Sequence, residues 1–465
     1  MKHTKLATTL AALGLVGSLI GGSALASPAS AAPIKVASAP VAPSWINSAT
    51  IYEVNTRQFS EAGTFNAVTD ALPRIHALGT DAVWLMPIFP ISTTGSKGTL
   101  GSPYAVSDYT DVNPNYGTKA DFKKLVDTAH SLGMKIILDW VPNHTGWDNA
   151  WIKTHPDWYT HDAQGNITYP PGTDWTDVAD LNYDSAGLRT AMTDALKYWV
   201  TNFDIDGYRQ DVAGGVPTDF WNSATAEVNA IKPLFWLAEN QDEPALLSQA
   251  FSANYNWELL GAFNTVGDRE KLMFAVQDTV SNYPKGRFPM NFITNHDENS
   301  WNGTEFDRLG NAVKESAAIA FTAPGVPLLY NGQEVGLTKQ LQFFEKDPIV
   351  WDANPAASSW TAFYTKLTTL KKSNPALWAG TAGGSLNFIS NNNSKTLSYA
   401  RVLGSNKVIL IANLSAKKIT PKLSFGKLAG KYFDYATGKA VKLAKSQKLT
   451  VQPWSFVVYS SNKVN

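Results

Sequence analysis

From about Ser44 to Leu370, short apolar runs alternate with longer stretches whose apolar residues recur at helical spacing. The short runs predict strands at Ile51 to Val54, Ala82 to Met86, Lys135 to Trp140, Ile205 to Gln210, Phe235 to Glu239, Asn291 to Thr294 and Val326 to Tyr330. Helical periodicity falls between them, as at Phe65 to Leu78, Lys119 to Leu132, Leu188 to Phe203 and Ala312 to Phe321. Strand then helix, repeated, predicts parallel strands joined by crossover helices. A weaker eighth strand at Ala253 to Trp257 would close an α/β fold of the (β/α)8 TIM barrel type over residues 44–373; an open doubly wound sheet is the alternative.

Two stretches break this rhythm. Residues 142–184, after the third strand, are long, irregular and rich in aromatic residues (Trp147, Trp151, Trp158, Tyr159, Tyr169, Trp175, Tyr183), the mark of a small inserted domain. Its aromatic side chains either stack on a ligand or pack an insert that has little other core. From 374 to 465 short alternating segments with turn residues between them predict an all-β terminal domain, a sandwich. At the other end, Lys2 and Lys5 precede an apolar stretch from Leu6 to about Ile20, and Ala29-Ser30-Ala31 supplies small residues in a cleavage pattern. Residues 1–31 therefore read as a secretory signal, which predicts a secreted, extracellular protein with no integral membrane segment after cleavage.

Composition narrows the chemistry. The chain has 465 residues, 44% hydrophobic and 17% charged, enough to bury a large core. It has no cysteine, so disulfides, thiol nucleophiles and cysteine-ligated metals are excluded. Lys plus Arg and Asp plus Glu are both 39, which gives no overall footprint for nucleic acid. The balance hides an asymmetry. From Lys371 onward, fourteen lysines and one arginine face the single acid Asp434, a net +14, while residues 32–370 carry 22 basic and 38 acidic residues, a net −16. A neutral ligand gives no reason for such a dipole. Electrostatic association of the basic terminal domain with an anionic cell wall or membrane surface does, and lysines that guard exposed sheet edges are the alternative.

Acidic residues cluster where this architecture places its chemistry. Asp139, Asp211, Glu239 and Asp297 each sit at or just beyond the carboxyl end of a predicted strand. On the fourth strand the two-residue period puts Arg209 on the same face as Asp211, so the guanidinium is expected to hold that carboxylate ionised. An ionised carboxylate beside a protonated one on the next strand, Glu239, fits glycosidic bond cleavage. No G-x-S-x-G, H-E-x-x-H or P-loop motif is present.

The runs Asp139-Trp-Val-Pro-Asn-His144 and Gly207-Tyr-Arg-Gln-Asp211, the strand-end Glu239 and the run Asn295-His-Asp297 resemble, in order, the four signature regions of the α-amylase family, glycoside hydrolase family 13. Asp180-Leu-Asn182, Tyr104 with Asp108-Tyr109, and Gly325-Val-Pro-Leu-Leu-Tyr-Asn-Gly-Gln-Glu334 extend the resemblance over essentially the whole mature chain. It implies that Asp211 is the nucleophile, Glu239 the general acid and base, and Asp297 the carboxylate that stabilises the transition state. It also implies that Tyr104, Asp139, His144, Arg209 and His296 line the same sugar subsite. The expected enzyme is a retaining α-glucan hydrolase, a monomer acting on α-1,4 links of starch or maltodextrins. A transglycosylase or a cyclomaltodextrinase- or neopullulanase-like enzyme is the rival within the family. A binding protein without chemistry is the rival outside it, and the presence of all three carboxylates argues against that.

Departures from the family pattern bear on metal and linkage. Many calcium-dependent members carry Lys-His shortly after the nucleophile, where this chain has Gly214-Gly215. Asn143 and Asp180 match other ligand positions, so a structural calcium is compatible with the sequence although its ligand set is incomplete; no cofactor is expected for the chemistry itself. Val212 after the nucleophile leaves α-1,6 tolerance open. Gln210, where an apolar residue is common, is expected to face the helices and to need a hydrogen-bond partner there.

Overall fold

The computed structural model describes residues 42–463; the expected signal segment lies outside them. Eight parallel strands, each buried along nearly its whole length, close into a barrel: β1 (Ile51–Val54), β2 (Ala82–Leu85), β3 (Lys135–Trp140), β6 (Gly207–Gln210), β7 (Phe235–Ala238), β8 (Ala253–Tyr255), β9 (Phe288–Asn291) and β10 (Val326–Tyr330). They follow one another around the barrel in chain order, and β10 pairs with β1 to close it, so the open-sheet alternative is excluded. Alternation along each strand decides the layers. Ile51, Trp84, Ile137, Leu237, Tyr255, Met290 and Leu328 fill the barrel interior, while Tyr52, Val83, Leu138, Tyr208 and Trp236 pack outward among the helices.

Capping residues start the helices where the periodicity places them. Thr64 caps Phe65–Ala77, Thr118 and Asp121 form a capping box on Lys119–Ser131, and Ser185 caps Ala186–Phe203. The expected strand at Asn291 to Thr294 is displaced: the strand is Phe288–Asn291, with Pro289 inside it. The apolar residues Phe292 and Ile293 instead lead to Asn295, whose side chain caps the next helix.

The segment after β3 forms a two-stranded antiparallel sheet, β4 (His144–Gly146) with β5 (Val178–Asp180). Its aromatic residues pack partly on one another and partly on the barrel, Tyr183 against Phe220 and Trp151 against Tyr109. Trp158, Tyr159 and Tyr183 are buried, and Trp158 lies against Trp151 and His155.

After the helix Ala357–Ser373, antiparallel strands form two sheets. The larger contains β11 (Ser385–Phe388), β13 (Thr396–Leu403), β14 (Asn406–Asn413), β19 (Ser455–Ser460), β16 (Gly430–Asp434) and β17 (Ala440–Leu443), in that order. The smaller contains β12 (Ser390–Asn391), β15 (Lys422–Ser424) and β18 (Ser446–Lys448). Ala400, Ile409, Ile411, Leu423, Tyr432 and Leu443 form the core between them. The opposite face of the larger sheet packs Leu397, Tyr399, Val408, Leu410 and Val458 into one continuous hydrophobic cluster with Ala317–Phe321 and Leu370 of the barrel helices. Among the described residues no helix is long and apolar enough to cross a membrane.

Candidate active site

The carboxyl ends of β3, β6 and β7 gather Asp139, Asp211 and Glu239 around one guanidinium. Parallel register sets Arg209 beside Asp139 on β3 and Leu237 on β7, and its side chain enters the barrel. Gly207 comes two residues earlier on the same face, where a Cβ would lie 2.6 Å from the Phe235 carbonyl oxygen, so only glycine lets the strands approach. Arg209 Nη1 donates to Asp139 Oδ1 and to Asp211 Oδ1, both at 2.8 Å. Its Nη2 lies 2.9 Å from Glu239 Oε1, an ion pair without hydrogen-bond alignment, and its Nε donates to the Tyr255 hydroxyl at 3.1 Å. The guanidinium lies 5.3 Å from the Trp84 ring centroid and 5.6 Å from those of Tyr104 and Tyr255.

Around this centre the acids differ in exposure. Asp139 is sealed beneath the pocket, where its Oδ2 accepts from Trp84 Nε1 at 3.2 Å and Tyr104 Oη at 3.1 Å. Asp211, Glu239 and Asp297 open into a cavity of about 560 Å³ shared with Tyr104, His144, His296 and Val212. Tyr104, His144 and His296 therefore lie where the sequence places them, whereas Asp139 and Arg209 lie under the floor and do not line the cavity. The reason is register: both belong to the interior layer one level below the strand ends.

Electrostatics separates the two acids that share the guanidinium. Burial raises Asp211, and Arg209 opposes that rise, leaving it at about 6. The sequence expectation that the guanidinium holds this carboxylate ionised left out the opposing effect of burial; at neutral pH Asp211 is still mostly ionised. Glu239 is pushed up to about 8, chiefly by burial and then by the negative charges of Asp211 and Asp297, against the pull of Arg209 and the Val212 N–H, which donates to its Oε2 at 2.8 Å. Val212 reaches that position at φ +45°, a strained backbone for a β-branched residue.

Asp297 is governed by a histidine. Burial would raise its carboxyl, but His296 outweighs it and holds Asp297 below the usual range. His296 Nε2 lies 3.2 Å from Asp297 Oδ2 and 2.7 Å from Tyr104 Oη, while its Nδ1 lies 2.5 Å from Glu53 Oε1. The two carboxylates keep the imidazole charged despite its burial. His144, buried with no such partner, is pushed down to about 4 and stays neutral.

The structure adds residues that sequence reasoning missed. Glu53 on β1 is an acid in a strand otherwise free of charge, and that was its only signal. Trp301, half exposed, together with Phe343 and Phe344, walls the cavity mouth, and Phe343 stacks in parallel with Tyr104 at 6.0 Å. These come from loops whose approach no periodicity reveals. Of the aromatic residues in the insert, only Trp175 lines the cavity.

The two expected calcium ligands lie on adjoining segments, the Leu181 N–H donating to the Asn143 carbonyl at 3.1 Å. Asn143 and Asp180 flank the β4–β5 pairing, in which Asp180 is the partner of His144. A Cβ on Gly215 would lie 2.3 Å from Asn143 Oδ1, so that oxygen is packed against the glycine that replaces the family's longer side chain. Among the described residues no group of three or more histidine or acidic side chains converges on a common point. Calcium takes six to eight oxygens, so these two side chains would supply only part of its shell and backbone carbonyls and water would have to supply the rest.

Comparison with known proteins bears on the family and the fold. Residues 50–255 match the family profile described as alpha amylase, catalytic domain. The alpha-amylase from Lactobacillus plantarum, a solved structure, is 34% identical, with a TM-score of 0.78 over 90% of this chain and 100% of that one. The noncanonic maltogenic alpha-amylase AmyB from Thermotoga neapolitana is 30% identical, with a TM-score of 0.80 over 90% of this chain and 99% of that one. Alpha-amylase MalA of Haloarcula japonica is 25% identical over 83% of this chain, which spans 58% of that relative's length.

Proposed function

Because the chain belongs to the α-amylase family of glycoside hydrolases, we propose that it is a secreted retaining α-glucan hydrolase that cleaves α-1,4 links of starch or maltodextrins by double displacement. The observation that carries this reading is the split between two carboxyls held by one guanidinium: near pH 7 Asp211 is ionised while Glu239 keeps its proton. In the first step Asp211 attacks the anomeric carbon as Glu239 gives its proton to the departing glycosidic oxygen. The product is a covalent glycosyl ester on Asp211. Glu239, now a carboxylate, then takes a proton from water, whose oxygen attacks the same carbon and releases Asp211. Sharing Arg209 keeps the two carboxyls close, as direct attack requires at a separation of about 5 to 5.5 Å. Asp297, held ionised by His296, faces the positive charge that develops on the sugar ring, and Tyr104 offers a ring face beside it. No metal or cofactor enters this chemistry.

The test is Asp211→Asn with a product time course on amylose, pullulan and β-cyclodextrin. Turnover should fall by several powers of ten with the melting temperature retained. More than a few per cent of residual activity would overturn the assignment. Maltotriose products longer than the substrate would show that sugar rather than water resolves the intermediate, and the reading would pass to a transglycosylase.

A further inference from the structure

The basic charge of the terminal domain is laid out as a path. On the smaller sheet Lys422 and Lys448 are direct cross-strand partners, and on the larger sheet Lys431 pairs with Lys442. All four are exposed. Like charges directly opposite one another destabilise a sheet, and this domain makes the same pairing twice. Edge protection does not account for it, because β15 and β16 are interior strands of their sheets and still carry one lysine of each pair. Nor are the charges neutralised within the protein. Among the described residues no ion pair involves any residue after Lys372, and the only acid of the domain is Asp434.

The two pairs lie on opposite sides of the sandwich, Lys422 and Lys448 on the free face of the smaller sheet and Lys431 and Lys442 at the exposed β16–β17 margin of the larger sheet's other face, whose centre packs on the barrel helices. Leu423, between Lys422 and Ser424, points into the core, and so do Tyr432 and Leu443, the neighbours of Lys431 and Lys442. Alternation turns the lysines away from that core on both sheets. The chain from β17 to β18 carries exposed Lys445 around the rim between the faces, and the Lys445 carbonyl accepts from the N–H groups of Phe425 and Gly426, which brings Lys427 alongside. The path therefore runs from Lys431 and Lys442, past Lys445 and Lys427, to Lys448 and Lys422.

We propose that this rim is a binding surface for a flexible polyanion, a polymer of repeated phosphate charges such as an anionic cell-surface polymer, which wraps from one face of the sandwich to the other. A flat lipid surface can reach only one of the two faces at a time, whereas a chain can follow the rim. Each contact is weak and screened, so binding is multivalent, reversible and steeply dependent on salt.

The experiment titrates the full chain with inorganic polyphosphate at increasing salt, followed by fluorescence anisotropy. Binding at low salt should weaken as salt rises. The quadruple variant Lys422→Gln, Lys448→Gln, Lys431→Gln, Lys442→Gln should lose affinity by at least roughly tenfold. Its melting temperature should be equal to the parent's or higher, since two like-charge pairs are removed, and its turnover of amylose should be unchanged, which separates this inference from the reading of the catalytic site. A control with Lys153→Gln and Lys285→Gln, exposed lysines of the barrel region, should bind like the parent. Equal loss in the control would reduce the effect to net charge and overturn the rim. Three further results would do the same: no binding at low salt, preference for phosphatidylglycerol vesicles over polyphosphate, or self-association through the acidic barrel of a second copy.

Discussion

At the scale of single residues, catalysis depends on two charge states, a protonated Glu239 that burial favours and an ionised Asp211 that Arg209 holds against burial. Glu239 above neutrality and Asp211 below it make the working form Asp211 ionised with Glu239 protonated. Its population falls as pH drops through about 6, where Asp211 gains a proton, and as pH rises through about 8, where Glu239 loses one. A bell-shaped profile of kcat/KM with limbs near those values is expected, and an alkaline limb below pH 6 would contradict the assignment of the proton to Glu239. Glu53 acts one step removed, through the Nδ1 of His296. Glu53→Gln should lower kcat about tenfold with little change in KM, and should add a second alkaline ionisation, that of His296, as the imidazole loses a partner that keeps it charged. An unchanged pH profile would reduce Glu53 to a packing role. The acids at strand ends were legible in the sequence because their positions follow from alternation. Glu53 was not, because its partner His296 lies 243 residues away.

Among the elements, β6 shows what close packing tolerates. Gln210 faces outward as alternation predicts and is fully buried, but neither its Oε1 nor its Nε2 finds a hydrogen-bond partner. The partner expected from the sequence is absent from the described residues. Neighbouring outward groups are already engaged, with the Tyr208 hydroxyl donating to the Leu196 carbonyl and Trp236 Nε1 to Asn229 Oδ1. Desolvating an unpaired amide costs about 1–3 kcal/mol, so Gln210→Leu should raise stability by an amount of that order. Denaturant unfolding of the two proteins measures it, and a less stable variant would show that the amide has a partner. Strand limits were legible where the apolar residues of the run lie inside the strand itself, as at β1, β3 and β10, the last in spite of Pro327. They were not legible at β9, where the apolar residues Phe292 and Ile293 follow the strand.

For the whole molecule, the terminal sheets are part of the barrel's own core. Leu397, Tyr399, Val408 and Leu410 share a cluster with the barrel helices. Lys371 donates to the carbonyls of Gly325 and Leu377, and Arg401 to those of Thr322, Gly384 and Trp378. Cutting the chain after Ser373 would expose that face, so the truncated protein should be insoluble or should melt well below the parent, and an equally stable, soluble barrel would refute this. By itself the sequence determined the alternation of strands and helices, the order of the four acidic signatures, the change to β structure near residue 374 and the charge asymmetry. Each is a local pattern, written in periods of two or 3.6 residues or in composition, and survives without knowledge of the partners. Only the tertiary structure decided which acids reach the cavity, which histidine is charged, that Gly215 packs against the Asn143 oxygen, and that the lysines pair across strands on two opposed faces. Those depend on burial, on register between strands far apart in sequence, and on distances of a few ångström, which exist only once the barrel and the sandwich have closed.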